Sequence, residues 1–253
     1  MPTDDLPNAV SDAPGPVLPV VGVIVAAGSG VRLGAPVPKA LVEVNGTPLV
    51  ARSAQALVAG GCTDLVVVIA DGSQPQFEAA LADVRVPVHY SAGGQTRQES
   101  VVNGLDVLHR IPQLDNCQVV LVHDAARALV PADVVRTVIE AVQSGATAVI
   151  PVVPMIDSVR RDHAAWGGVG SSIVDRSELR LVQTPQGFDR QVLLASHAHA
   201  AAQGLAVTDD AAVCEATGHP VVLVPGSRDA LKITEPHDVV VAEAICRERE
   251  ESR

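Results

Sequence analysis

The sequence predicts an α/β fold, a doubly wound and mostly parallel sheet with an inserted β-hairpin arm, on three observations. Short Val/Ile/Leu runs recur along the chain, helix start signals lie between them, and one internal segment breaks the alternation. The runs stand at Val20 to Ala26, Leu65 to Ala70, Val86 to Tyr90, Val119 to His123, Ala146 to Val153 and Val221 to Val224. They are continuous rather than alternating, the pattern of strands covered on both faces. Thr47 followed by Pro48, Thr96 with Glu99 three residues on, Pro131 ahead of an apolar-periodic run, and Asp189 before Val192 to Leu194 predict helix starts. From Asp157 to Thr184 the segments shorten, Arg160 and Arg161 stand together, and Gly167, Gly168 and Gly170 mark a turn, which predicts the arm.

The expected organisation is a tail at residues 1–19, one domain at 20–247 carrying the arm at 157–184, and a charged tail at 248–253. The first segment holds Asp4, Asp5 and Asp12, five prolines and no Lys or Arg, so it lacks the basic and apolar regions of a signal peptide. It reads as a disordered tail on a cytoplasmic protein. Arg247 to Arg253 read as a solvated helix end.

A chain of 253 residues, 47% hydrophobic and 19% charged, can bury a core without a disulfide or a structural metal. Its net charge of −11 argues against nucleic acid and anionic membrane as partners, which are held by cationic excess. Phe77, Tyr90, Trp166 and Phe188 are too scattered for a base-stacking platform. Cys62, Cys117, Cys214 and Cys246 show no zinc or disulfide spacing and read as buried thiols. The apolar runs end at glycines well short of the roughly 18 residues that a membrane span needs.

The first strand runs into Ala26-Ala27-Gly28-Ser29-Gly30-Val31-Arg32-Leu33-Gly34, a glycine loop at a strand's carboxyl end. Open α/β sheets bind ligands there, and glycines let backbone N–H groups approach phosphates. Leu33 stands where a dinucleotide fingerprint needs glycine, and the Walker A spacing is absent, so a purely structural turn stays open as the alternative. Of the 18 Lys and Arg residues only Lys39 and Lys232 are lysines, both beside short loops near strand ends. A compact point charge on a slim stem suits a crowded phosphate site, with chance as the competing account.

The segment Val122-His123-Asp124-Ala125-Ala126-Arg127 brings a carboxylate and a guanidinium to the same sheet edge. Asp124 suits a ribose hydroxyl or Mg²⁺ and Arg127 a phosphate, while a loop-securing ion pair is the equal alternative. His123 has no partner at triad or metal spacing and reads as a hydrogen-bonded structural histidine.

Together with Pro38-Lys39, Gly93-Gly94 followed by Arg97 and Ser100, Val174-Asp175-Arg176, Thr184-Pro185-Gln186 and Leu231-Lys232-Ile233-Thr234, these segments resemble the 2-C-methyl-D-erythritol 4-phosphate cytidylyltransferases of the non-mevalonate isoprenoid pathway. The resemblance runs in order from Val20 to about Ile245. It implies a Rossmann-like nucleotidyltransferase in which CTP, carrying Mg²⁺ on its triphosphate, reacts with the polyol phosphate to give the CDP-linked polyol and pyrophosphate. By the same resemblance Ala26, Ala27, Gly94 and Ser100 read cytosine, Gly28 and Asp124 meet the ribose, and Gly30 belongs to the CTP loop. Arg32, Lys39 and Lys232 carry the catalytic charge, and Arg127, Ser158, Arg176, Thr184 and Asp229 join Lys232 at the acceptor. No protein ligand of the metal is assigned. Ser158 replaces the family's usual threonine and keeps its hydroxyl, and Ala128 replaces a common proline.

The chemistry fits without a general base. A phosphate monoester, with a second pKa of about 6, is already an ionised nucleophile at neutral pH. The barrier is charge crowding, which Lys, Arg and Mg²⁺ relieve. A cytidylyltransferase acting on ribitol 5-phosphate stays open, because a methyl and one carbon are worth only about 1 to 3 kcal/mol in a pocket. A nucleotide sensor without turnover is the reading from another class. The arm implies a homodimer, since an isolated hairpin is marginal in water, with Arg176 delivered to the neighbouring subunit.

Overall fold

The computed structural model describes residues 18–35, 37–163, 170–205 and 207–251. The expected tail up to residue 17, the turn glycines Gly167 and Gly168, and the last two residues of the charged tail lie outside the described residues.

Its centre is an eight-stranded mixed sheet. Strands β1 (Val20–Val25), β4 (Asp64–Ile69), β5 (Val88–Ala92) and β6 (Val119–Asp124) are parallel, with β1 between β4 and β6 and β5 outside β4. Beyond β6 comes β11 (Gln186–Asp189), antiparallel to it and to β7 (Ala148–Pro154). Along the same side of β7 the shorter β10 (Arg180–Val182) continues this antiparallel edge, and β12 (Val221–Pro225) runs parallel on the other side. A small hairpin of β2 (Glu43–Val44) and β3 (Thr47–Pro48) stands apart from the sheet.

Both faces are covered, which is why the central strands are apolar throughout. Ile24, Leu65, Val67 and Leu121 point to one core with Leu57 of α1 (Leu49–Gly60) and Val135 and Val138 of α4 (Ala132–Gln143). Val21, Val23, Val66, Val68, Val120 and Val122 point to the other, with Val101, Leu105 and Leu108 of α3 (Arg97–Arg110) and Leu193 of α5 (Arg190–Gln203). A third cluster joins Leu33, Val44, Leu49 and Ile233 to Ala242 and Cys246 of α7 (Pro236–Glu251). The other α-helices among the described residues are the short α2 (Gln74–Ala80) and α6 (Asp210–Ala216). All four cysteines are buried and unpaired.

The helix signals place α3, α4 and α5 as the sequence predicts, with Thr96, Pro131 and Asp189 as their N-caps. Thr47 differs: it pairs with Val44 in the small hairpin, and the helix begins after Pro48. The segment after β7 forms an antiparallel hairpin of β8 (Val159–Asp162) and β9 (Ser171–Val174), then rejoins the sheet as β10. The C-terminal charges do more than meet water, since Arg249 donates to Leu129 O at 3.0 Å and to Asp229 Oδ2 at 2.7 Å.

Candidate active site

Because β1, β5, β6 and β12 share a direction, the loops after them converge on one edge of the sheet. The loop after β1 folds back tightly over Lys39. Gly30 has φ +68, and a Cβ there would stand 2.6 Å from Lys39 Cβ, so no other residue fits. A 3-10 turn over Val31–Leu33 buries Leu33 and leaves Arg32 exposed; a second, Lys39–Leu41, buries Ala40 beneath the half-buried Lys39.

The loop after β5 is fastened from both sides. Gly93 N donates to Ile69 O at 2.7 Å and Gly94 N donates to Ser100 Oγ at 3.0 Å. The buried Ser100 hydroxyl donates onward to Thr96 O at 2.9 Å. Thr96 Oγ1 caps α3 by accepting from Glu99 N, while Glu99 Oε2 accepts from Gln95 N, one residue before the position an ideal capping box would use. Ser100 thus holds the shape of the Gly94 loop with both its donor and its acceptor engaged.

Asp124 ends β6. Its N–H donates to Thr184 Oγ1 at 3.0 Å, and the same hydroxyl lies 3.0 Å from His123 Nδ1, a hydrogen bond whose direction follows the tautomer of the ring. The other ring nitrogen, Nε2, is buried without a hydrogen-bond partner among the described residues. Burial pushes the His123 pKa down to about 4, with the Asp124 charge opposing and Arg127 assisting. The loop after β12 docks alongside: Ile233 N donates to Ala126 O at 2.8 Å and Arg127 Nη1 to Ala230 O at 2.8 Å. That docking sets Lys232 Nζ 2.7 Å from Asp124 Oδ2, while Arg97 Nε lies 3.1 Å from Asp124 Oδ1. Burial works against the Asp124 charge, but Arg97 and Lys232 outweigh it and hold the carboxyl well below the usual carboxylate range.

Between these loops lies a cavity of about 560 Å³, within the range of small-molecule sites. Ala26, Ala27, Gly28, Gly30, Arg32, Lys39, Gly94, Ser100, Asp124 and Lys232 all line it, so the expected CTP set converges. Arg97, whose role the sequence left unassigned, lines it too. Among the described residues, four cations face a single lining carboxylate, Asp124, although the chain as a whole is acidic. Burial, then the positive charges of Lys232 and Arg32, hold the Lys39 ammonium pKa below its ordinary value. Arg32 and Lys39 make no ion pair among the described residues.

The expected acceptor residues other than Lys232 lie outside this lining. Thr184 is buried and engaged as described, and Arg127 is spent on Ala230 O and Val182 O. Asp229 pairs with Arg249. Ser158 is exposed at the start of the arm, and the exposed Arg176 donates to Ile156 O.

The chain is similar to proteins of a known family. The family profile of IspD, 2-C-methyl-D-erythritol 4-phosphate cytidylyltransferase, matches residues 20–248. A protein of that name from Streptomyces avermitilis is 46% identical over 236 residues, 90% of this chain and 91% of its own. One from Saccharopolyspora erythraea is 48% identical over 227 residues, covering 89% and 98%. The crystal structure of 2-C-methyl-D-erythritol 4-phosphate cytidylyltransferase from Thermus thermophilus superposes with a TM-score of 0.73 at 35% identity, over 90% of this chain and 99% of that one. These matches favour methylerythritol phosphate over the ribitol phosphate alternative. Matched by the family profile over residues 20–248 and 46% identical to a relative covered over 91% of its length, the chain belongs to the family of 2-C-methyl-D-erythritol 4-phosphate cytidylyltransferases.

Proposed function

We propose that this chain transfers the cytidylyl group of CTP to 2-C-methyl-D-erythritol 4-phosphate, giving 4-diphosphocytidyl-2-C-methyl-D-erythritol and pyrophosphate. The observation that carries the reading is the crowding of Lys39 by Arg32 and Lys232 without an ion-pair partner of its own among the described residues. Cations held together at such cost await an anion of high charge, and a triphosphate supplies it.

In the reaction a phosphate oxygen of the acceptor bonds to the α-phosphorus as the bond from that phosphorus to the pyrophosphate oxygen breaks. No proton need move, since the nucleophile is already ionised. Arg32 and Lys39 hold the leaving phosphates, and Lys232 reaches the reacting phosphoryl. Ala26, Ala27 and Gly94 present backbone to the base, with Ser100 fixing the Gly94 loop. Gly28, Gly30 and Asp124 border the ribose and phosphates.

Mg²⁺ belongs to the same reading. The described residues hold no cluster of three metal-ligating side chains, and the lining offers one carboxylate, Asp124, already flanked by two cations. Such a donor set suits a magnesium ion borne chiefly by phosphate oxygens and water, where it would neutralise charge on the triphosphate.

A homodimer completes the acceptor side. Ser158 and Arg176 are exposed on the arm, outside the cavity lining, and Ile173 and Leu181 on the arm and Ile156 just before it are exposed too. An arm crossing to a second copy would cover these apolar groups and bring Arg176 to that copy's acceptor. A cytoplasmic location is supported by four unpaired buried thiols, and no described helix is long and apolar enough to cross a membrane.

The test is pyrophosphate release from a panel of nucleotides and polyol phosphates with Mg²⁺. Release with CTP and methylerythritol phosphate, and far less with UTP or ribitol phosphate, is expected. CTP binding without pyrophosphate release would leave a sensor instead.

A further inference from the structure

Arg97, the first residue of α3, faces two carboxylates at once. Its Nε lies 3.1 Å from Asp124 Oδ1 in the cavity wall, and its Nη1 lies 2.8 Å from Asp210 Oδ2, which is almost wholly buried behind it. Asp210 opens α6, whose first turn is clamped to the sheet. The side chain of Gln186 in β11 donates to Asp209 Oδ2 at 3.0 Å and accepts from Ala211 N at 3.2 Å. The other Asp210 oxygen is 3.2 Å from Nε2 of the buried His197 in α5, close but not aligned as a hydrogen bond. Charges therefore alternate from Asp210 through Arg97 and Asp124 to Lys232.

We propose that Asp210 is a positioning residue for the nucleotide: by anchoring one prong of the Arg97 fork, it fixes the guanidinium against Asp124 and away from the triphosphate. The inference rests on the cytidylyltransferase reading given above. Its physical basis is the cost of the arrangement. A buried Arg–Asp pair adds little net stability over apolar packing, so this one has small value as a fastener alone. Its value lies in geometry, because a guanidinium held at two points cannot turn, and the carboxylate it holds in the cavity cannot turn either. Without Asp210, Arg97 is free to close both prongs on Asp124 or swing toward the phosphates. Either movement takes Asp124 from its place beside the ribose.

CTP binding to the full-length protein, measured by isothermal titration calorimetry with Mg²⁺ and without acceptor, tests this. In Asp210→Asn the Kd for CTP should rise about tenfold, the loss expected when a charged hydrogen-bond anchor goes. The KM for the acceptor should stay within about twofold, a split that general loosening of the fold would not produce. Asp210→Asn, Arg97→Ala and the double variant should be non-additive, the double being no worse than Arg97→Ala alone. Circular dichroism and thermal unfolding establish that each variant is folded. Should Asp210→Asn not fold, Arg97→Lys takes its place, since lysine keeps the charge but cannot span two carboxylates, and the same weakening is expected. Unchanged CTP affinity in the folded variant, or additive losses in the double, overturns the inference. A wild-type chain that binds no CTP overturns the nucleotide reading and this inference with it.

Discussion

Lys232 Nζ lies 2.7 Å from Asp124 Oδ2, joining the loop after the last strand to the end of a central one. Lys232 is about half exposed, so the contact itself is worth at most about 1 kcal/mol of stability. Lys232→Ala should therefore leave the melting temperature nearly unchanged, with Asp124 still paired to Arg97. Turnover should fall by about 10² to 10³, the usual result of removing one preorganised charge from a transferring phosphoryl. Steady-state kinetics at saturating CTP beside a thermal melt check both halves, and wild-type turnover would remove Lys232 from the catalytic set.

Ser100 shapes the loop after β5, proposed above to read the base, through its bonds to Gly94 N and Thr96 O. Ser100→Ala should narrow the preference for CTP over UTP by about tenfold, because the loop's backbone groups lose their fixed aim. The ratio of kcat/KM for the two nucleotides measures it. A preference as wide as wild type would show that the loop holds its shape without the hydroxyl.

His123 makes stability pH-dependent in a definite direction. Above its ordinary value of 6.5 the ring is neutral in both folded and unfolded chains and contributes no slope. Between 6.5 and about 4 the unfolded chain takes up a proton that the folded one refuses, so stability falls as pH falls. The loss reaches about 3 kcal/mol by the lower end. His123→Asn keeps a side chain able to donate to or accept from the Thr184 hydroxyl without a titrating ring. Urea unfolding from pH 7 down to 4.5, above the range in which Asp124 gains its proton, should show the wild type losing ground relative to this variant. A constant difference across that range would contradict a buried neutral imidazole.

If the arm serves a second copy, Arg176→Ala and Lys39→Ala should complement each other. Each alone should be nearly inactive. Mixed dimers should regain up to one working site, one subunit supplying an intact Lys39 pocket and the other an intact arm. Activity restored on co-refolding, with dimer mass verified by light scattering, is the expected result. An active monomer, or silent mixed dimers, would mean the arm works on its own subunit.

Much of the site was legible because its segments are local. The glycine loop and the Val122 to Arg127 segment each follow directly from a buried strand, so the strand runs fixed their place at one sheet edge. The strands themselves were readable because both faces are covered, leaving no polar alternation to interrupt them. Legibility failed where partners are remote or chemistry is mixed. Arg97 and Asp210 are 113 residues apart, and no spacing rule links the start of one helix to the buried start of another. Strand β11 is Gln-Gly-Phe-Asp, with only Phe188 a large apolar residue, and it lies between two strands because Gly187 lets Val138 pack close against it. Thr47 mimics a helix cap in sequence, yet it pairs across a two-residue hairpin instead. Arg249 looks like a solvated end residue until the fold carries its helix back to Asp229.

The distribution of the buried thiols gives this protein an internal set of gauges. Cys62 belongs to the core on the α1 and α4 face, Cys117 and Cys214 to the core on the α3 and α5 face, and Cys246 to the cluster beneath the C-terminal helix. Burial raises the Cys62 thiol pKa far above the range in which it ionises, and raises Cys117 and Cys214 to about 11 each. A folded layer therefore hides its thiol from an alkylating reagent, and only opening of that layer exposes it. Timed labelling followed by peptide mass mapping would then rank the three layers by how often each one opens, with no probe added to the chain.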